Sequence, residues 1–106
     1  MIQVYTGNGK GKTTAALGLA VRAAGAGLNV YIGQFAKGRN YSELTILKKL
    51  KNIKIEQFGR RCFIKVKPDS LDIELACKGL DKLKKAILSK KFHLIILDEI
   101  NIALKY

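Results

Sequence analysis

The sequence predicts an α/β protein with a mainly parallel sheet of four strands, and three observations carry that expectation. A short apolar segment, residues 2–5, runs into a glycine-rich turn and then a helix over 13–26. A continuous apolar run over 29–36 has the composition of a strand covered on both faces. A second such run, 92–97, delivers Asp98 and Glu99 at its carboxyl end. Between them, Ile53, Ile55 and Gln57 alternate with Lys54, Glu56 and Phe58 as a further strand. Helical patterns separate the strands, as parallel pairing requires.

The chain is organised around Thr6-Gly7-Asn8-Gly9-Lys10-Gly11-Lys12-Thr13-Thr14. Gly7, Gly9 and Gly11 lack a Cβ and let the backbone curl so that successive N–H groups face a polyanion. The helix that follows offers its positive end, Lys12 adds a mobile cation, and the Thr13 hydroxyl is placed to ligate a nucleotide's magnesium. Against the pattern Gly-x-x-x-x-Gly-Lys-[Ser/Thr], the sequence matches at Gly11, Lys12 and Thr13, has Thr6 where the first glycine belongs, and carries an extra lysine, Lys10. A ligand-free glycine turn is the plainer alternative, but the strand before and helix after are the context a phosphate loop needs.

Taken in order, helix 13–26 is expected to be buried, its Ala15, Ala16, Gly18, Ala20, Ala23 and Ala24 allowing close approach to a sheet. Gly25 and Gly27 end it. The basic turn 37–40 lies at the carboxyl end of its strand, the edge where open α/β sheets bind ligands. Ser42 is expected to cap a short helix bearing Leu44, Leu47 and Leu50, with Glu43 suited to its first turn. Residues 59–68 lose periodicity and read as a basic loop, with Phe63 more simply a core anchor than a ligand face. Helix 69–90 follows, with Ala76, Leu80, Leu83 and Ile87 on its packed stripe. Acidic groups placed as Asp98 and Glu99 are suited to hold magnesium or its water shell. His93 opens its strand and reads as a strand-end residue rather than a catalyst.

With 106 residues the chain is expected to form one domain, and 48% apolar with 26% charged residues is ordinary for a soluble globular protein. No apolar run reaches the roughly 20 residues of a membrane span, and the chain starts in a strand without a leader, so the expected location is cytoplasmic. Cys62 and Cys77 lack partners at metal-ligand spacing and are expected to be free thiols. A net charge of +12 favours anionic ligands, although most lysines fall where a solvated helix face explains them.

Three stretches, 6–16, Gln34-Phe35-Ala36-Lys37-Gly38, and Leu97-Asp98-Glu99-Ile100 through Tyr106, resemble the ATP:corrinoid adenosyltransferases of the cob(I)alamin type found in bacteria and archaea. The resemblance runs along the whole chain in matching order. It implies a RecA-like P-loop NTPase three-layer fold and transfer of the 5′-deoxyadenosyl group of ATP to the Co(I) of a corrinoid, releasing triphosphate. Reduced cobalt is itself the nucleophile, so the absence of an evident nucleophile-base pair in the sequence suits that chemistry.

Carried over by position, Gly7, Asn8, Gly9, Lys10, Gly11, Lys12, Thr13 and Thr14 would hold the triphosphate of ATP, bound in reverse along the loop. Lys12 would neutralise charge, and Thr13 and Glu99 would ligate Mg2+, with Asp98 the alternative carboxylate. Phe63 matches the phenylalanine of a Gly-Phe-x-Trp stretch that touches the corrin, although Cys62 and Lys65 replace its glycine and tryptophan. The implied partners are ATP, cob(I)alamin or a precursor corrinoid and an electron-donating flavoprotein, with a homodimer left open and no membrane. Family members continue well beyond the Leu-Lys-Tyr ending. The resemblance therefore implies a nucleotide-binding domain lacking C-terminal strands and helices, with a gap or exposed edge beside the loop-bearing strand, poor ATP binding and slow turnover.

Two other classes compete. The charge and the basic loop suit a RecA-like nucleic-acid-dependent ATPase, against which stand few aromatics for base stacking and no RNA-binding signature. A small-molecule kinase would instead transfer the gamma phosphate.

Overall fold

The computed structural model describes residues 2–7, 11–35, 42–59 and 70–100. Helix α1 (Lys12–Gly25) leads to strand β1 (Val30–Phe35), short helix α2 (Ser42–Leu47), strand β2 (Ile53–Phe58), helix α3 (Ser70–Ser89) and strand β3 (Leu94–Asp98). The strands form one parallel sheet in the order β2-β1-β3. Every residue of the central strand β1 is buried, which is why its sequence is almost unbroken apolar.

Side chains alternate across the sheet and sort it into two cores. Val30 and Ile32 of β1, Ile53 of β2 and Ile96 of β3 meet Leu17 and Ala20 of α1 and Leu47 of α2. On the other face, Phe35 and Phe58 pack with Ala76 of α3, their ring centres 5.4 Å apart. The helix crosses directly over these rings at Gly79, where an added Cβ would lie 2.6 Å from Phe58 and 2.7 Å from Phe35.

The amino edge of the sheet is closed by side-chain amides. Asn52 Nδ2 donates to the carbonyls of Ala24 and Leu28, 2.9 and 2.8 Å away, and so fastens the end of α1 to the start of β2. Asn29 N–H donates to His93 Nδ1 at 3.0 Å, while His93 N–H donates back to Asn29 O at 2.8 Å. His93 therefore ties two strand starts together, as a strand-end residue. The carboxyl edge is left for chemistry.

Three sequence expectations are corrected. The described residues hold three strands rather than four: residues 2–6 form no strand, and Ile2 and Val4 are 92% and 79% exposed. A strand exists only with a ladder partner, and among the described residues no strand flanks that segment; β3 is the last strand on its side of the sheet. Helix α1 is not buried all round, since only Leu17 and Ala20 are buried and Val21 is half exposed. In α3 the buried residues are Asp72, Ala76, Gly79 and Ala86, and Ile87 is exposed; the small Ala76 and Gly79 are the ones that sit against the Phe35–Phe58 pair.

Beside that pair, the Tyr31 hydroxyl is buried with no hydrogen-bond partner among the described residues. Burial first, then the nearby Glu56 carboxylate, push its pKa up to about 12. For Glu56 burial acts upward, but the hydrogen bond and charge of Lys82, whose Nζ lies 2.6 Å away, outweigh it and hold the carboxyl below its usual range. Between pH 10 and about 12 an unfolded chain loses the Tyr31 proton while the folded one keeps it, so stability should fall as pH rises through that window. The loss is on the order of 2 kcal/mol. Urea unfolding across that range checks it, and Tyr31→Phe should flatten the alkaline limb.

Candidate nucleotide site

The loop enters α1 through two glycines in conformations that side chains rarely adopt, Gly7 at φ 135° and Gly11 at φ 102°. Gly11 is the N-cap of α1 and supplies no capping side chain, and the first turn contains no acid. The positive end of the helix is therefore uncompensated by the side chains of its own first turn. Lys12 Nζ donates to the Gly7 carbonyl at 2.7 Å, joining the first residue of α1 to Gly7 across the loop. Asn8, Gly9 and Lys10 lie outside the described residues.

One turn further, the helix meets the acidic strand end. The Thr13 hydroxyl donates to Asp98 Oδ1 at 2.9 Å, joining residues 85 positions apart. Asp98 is only 8% exposed and closes β3 on the α1 face. Glu99 follows beyond the strand, half-buried, at φ 59°. Thus Gly7, Gly11, Lys12, Thr13, Asp98 and Glu99 gather at one edge; Thr14 is exposed on the first turn of α1, and Phe63 and Cys62 fall outside the described residues.

The sheet beneath is layered. Val30, Ile53 and Leu94, then Ile32, Ile55 and Ile96, lie in register toward α1 and are apolar; the next level is Gln34, Gln57 and Asp98. Gln34 Nε2 donates to Asp98 Oδ2 at 3.4 Å, a long hydrogen bond, and Gln57 Nε2 donates to Gln34 Oε1 at 3.1 Å. A polar row thus crosses all three strands and ends at the carboxylate that Thr13 reaches. Sequence reading assigned no role to Gln34 or Gln57. The available signal was the shared Gln-Phe ending of β1 and β2, a polar residue breaking an apolar run at the same level of both strands.

Among the described residues no three His, Cys, Asp or Glu side chains gather as a metal cluster. The oxygens of Thr13, Asp98 and Glu99 are nevertheless hard donors of the kind magnesium prefers, and magnesium usually takes one or two protein oxygens with phosphates and waters. The donor set fits that ion. Beside Thr13 and Thr14, an open groove of about 400 Å³ runs between α1 and α2, floored by Leu17 and Leu47 and walled by Val21 and Ile46.

A parallel α/β sheet with helices on both faces, a glycine-turned helix start and a carboxylate closing a neighbouring strand define an architecture compatible with a P-loop-like fold. Over residues 1–106 the sequence matches the family model of the ATP:corrinoid adenosyltransferases BtuR/CobO/CobP, and the chain belongs to that family. A corrinoid adenosyltransferase of Sinorhizobium sp is 32% identical over 116 residues, covering 100% of this chain and 51% of the relative. That of Pseudomonas aeruginosa is 30% identical over 108 residues, covering 100% of this chain and 53% of its own. The corrinoid adenosyltransferase CobA of Salmonella typhimurium is 66% identical over 38 residues, which are 36% of this chain and 19% of the relative. An uncharacterized Nostoc protein, 36% identical, is matched over 94% of this chain and 30% of its own length. The chain spans about half the length, or less, of these curated relatives. No helix of the described residues is long and apolar enough to cross a membrane.

Proposed function

We propose that this chain carries the triphosphate-binding half of an enzyme that transfers the 5′-deoxyadenosyl group of ATP to a reduced corrinoid. The observation that supports this most directly is the Thr13–Asp98 hydrogen bond, which sets a hydroxyl and a carboxylate together at the mouth of the glycine loop. Family membership supports adenosyl transfer to a corrinoid as the class of chemistry. The fold in this reading is a RecA-like three-layer P-loop fold in which this chain forms one nucleotide-binding domain.

In this reading the Co(I) electron pair forms a bond to C5′ of ATP, and the C5′–O bond breaks with its electrons leaving on triphosphate. The protein supplies position and charge. Amides from Gly7 to Thr14 and the Lys12 ammonium would stabilise the leaving group by position and charge. Thr13 and Glu99, with Asp98 behind the hydroxyl, would hold magnesium, which when bound neutralises the developing charge of the phosphates. Phe63 would face the corrin. The reaction needs an electron donor, for which a flavoprotein in the cytoplasm is the fitting class, and a homodimer is tested separately by sizing in solution.

The test is incubation with ATP, magnesium and chemically reduced cob(I)alamin, following the absorbance of cobalt and the phosphate product. Triphosphate with a new cobalt–carbon bond is the expected outcome, with slow turnover by this chain alone. Release of ADP would overturn the reading in favour of a kinase or of a nucleic-acid-dependent ATPase, the second of which the +12 charge suits.

A further inference from the structure

We propose that Gln34 is the positioning residue for Asp98, and that Gln57 fixes the orientation of the Gln34 amide, so that the row Gln57–Gln34–Asp98 sets the direction of the Thr13 hydroxyl. This rests on the reading of Thr13 as a magnesium ligand.

The polarity of the row is determined at its acidic end. An ionised carboxylate only accepts, so Gln34 must turn Nε2 toward Asp98 Oδ2 and Oε1 away from it. Turned over, the amide would put oxygen against oxygen. The outward Oε1 then accepts from Gln57 Nε2 at 3.1 Å, which rewards the correct orientation a second time. Gln34 is fully buried, so its bond to Asp98 is shielded from water, while Gln57 at the outer end of the row is half-buried. With Oδ2 held by the amide, Oδ1 is the oxygen presented to Thr13 at 2.9 Å. All donors in the row run one way, toward the carboxylate. A threonine that donates its proton there directs its oxygen lone pairs off that line, toward the loop side, where a cation riding on phosphate would meet them.

Folding alone does not call for this row. The two levels beneath it are filled by isoleucine, leucine and valine in the same register, and an apolar third level would pack as well without buried amides to satisfy. Groups that orient a ligating side chain are the usual reason for such an expense, and their removal typically lowers metal affinity 10–100-fold.

The experiment uses the full chain, labelled with nitrogen-15 and titrated with ATP by NMR in the presence and absence of magnesium. Gln34→Met keeps the side-chain length and removes both amide bonds. It should reduce the magnesium-dependent gain in ATP affinity by about tenfold or more while leaving metal-free ATP affinity unchanged. Gln57→Met, which removes the outer bond of the row and leaves the Gln34–Asp98 bond in place, should give a smaller loss in the same direction. If Gln34→Met weakens ATP binding equally with and without metal, or leaves the magnesium gain intact, the proposal is overturned. Should Gln34→Met not fold, Gln57→Met decides: a reduced magnesium gain supports the row, and an unchanged gain rejects it. A wild-type chain with no magnesium gain overturns the metal reading itself, whereas a wild-type gain that survives both substitutions overturns this inference alone.

Discussion

Lys12→Ala should weaken ATP binding by about two orders of magnitude. A hydrogen bond to a charged group contributes about 1.5–3 kcal/mol, and each 1.4 kcal/mol is a factor of ten. Lys12 is the one cation fixed at the start of α1 by the described geometry, its Nζ 2.7 Å from the Gly7 carbonyl. Phosphate oxygens would replace that carbonyl as acceptors, exchanging a neutral partner for an anionic one. Alanine is the better helix former at this position, so the fold is expected to survive and circular dichroism to show an intact helix. Calorimetric titration gives the result. Unchanged affinity would remove the loop from its central role and leave the Thr13–Asp98 contact as a structural clasp.

Gly79→Ala should destabilise the protein by about 1–2 kcal/mol, against the usual direction of a glycine-to-alanine change within a helix. Alanine gains about 1 kcal/mol in helix propensity, but overpacking a well-filled core costs about 1–3 kcal/mol. Here the new methyl would stand 2.6–2.7 Å from two aromatic rings, and neither is the loose end of a flexible chain. Phe35 and Phe58 are buried and packed on each other, so the helix itself must lift. Lifting α3 opens the face of the sheet opposite the nucleotide loop. Urea unfolding with a lowered midpoint and an unchanged slope is the expected observation; a raised midpoint would mean that the rings rearrange freely.

Those two expectations depend on contacts of different legibility. Strand β2 was readable to the residue, because alternation of Ile53, Ile55 and Gln57 with Lys54, Glu56 and Phe58 reflects the pleat itself. Strand β1 and helix α3 were readable within a residue or so for the same local reason, and Asp98 and Glu99 were expected at the end of β3, where Asp98 proves to be its last residue. Residues 2–5 have equally good strand composition, yet pairing is a property of two segments, and the segment's own residues do not say whether a partner lies beside it. Helix α1 shows the same limit, since apolar composition at Leu19 and Val21 does not reveal which flank another element covers. The stripe of α3 was misread at Ile87 because hydrophobicity was weighed and volume was not. Of the candidate site, Lys12 and Thr13 were expected from the loop motif, and Glu99, with Asp98 the alternative, from the strand end; the structure sets Thr13 against Asp98. The Gln34 row was not legible, because its meaning arises only when three strands are laid side by side.

The shared Gln-Phe endings of the two neighbouring strands have a consequence for how the chain avoids misassembly. In the native alignment Gln34 lies beside Gln57 and Phe35 beside Phe58, amide with amide and ring with ring. A slip of one residue would reverse every side chain of β2, taking the Phe58 ring off the α3 face and turning the Gln57 amide toward it. A slip of two would keep the faces but seat Gln57 among isoleucines, at a penalty of about 1–3 kcal/mol for each polar group left unmet. Two residues repeated at the tips of adjacent strands thus work as a matched key, rejecting the offset pairings that a plain run of isoleucine and valine would accept.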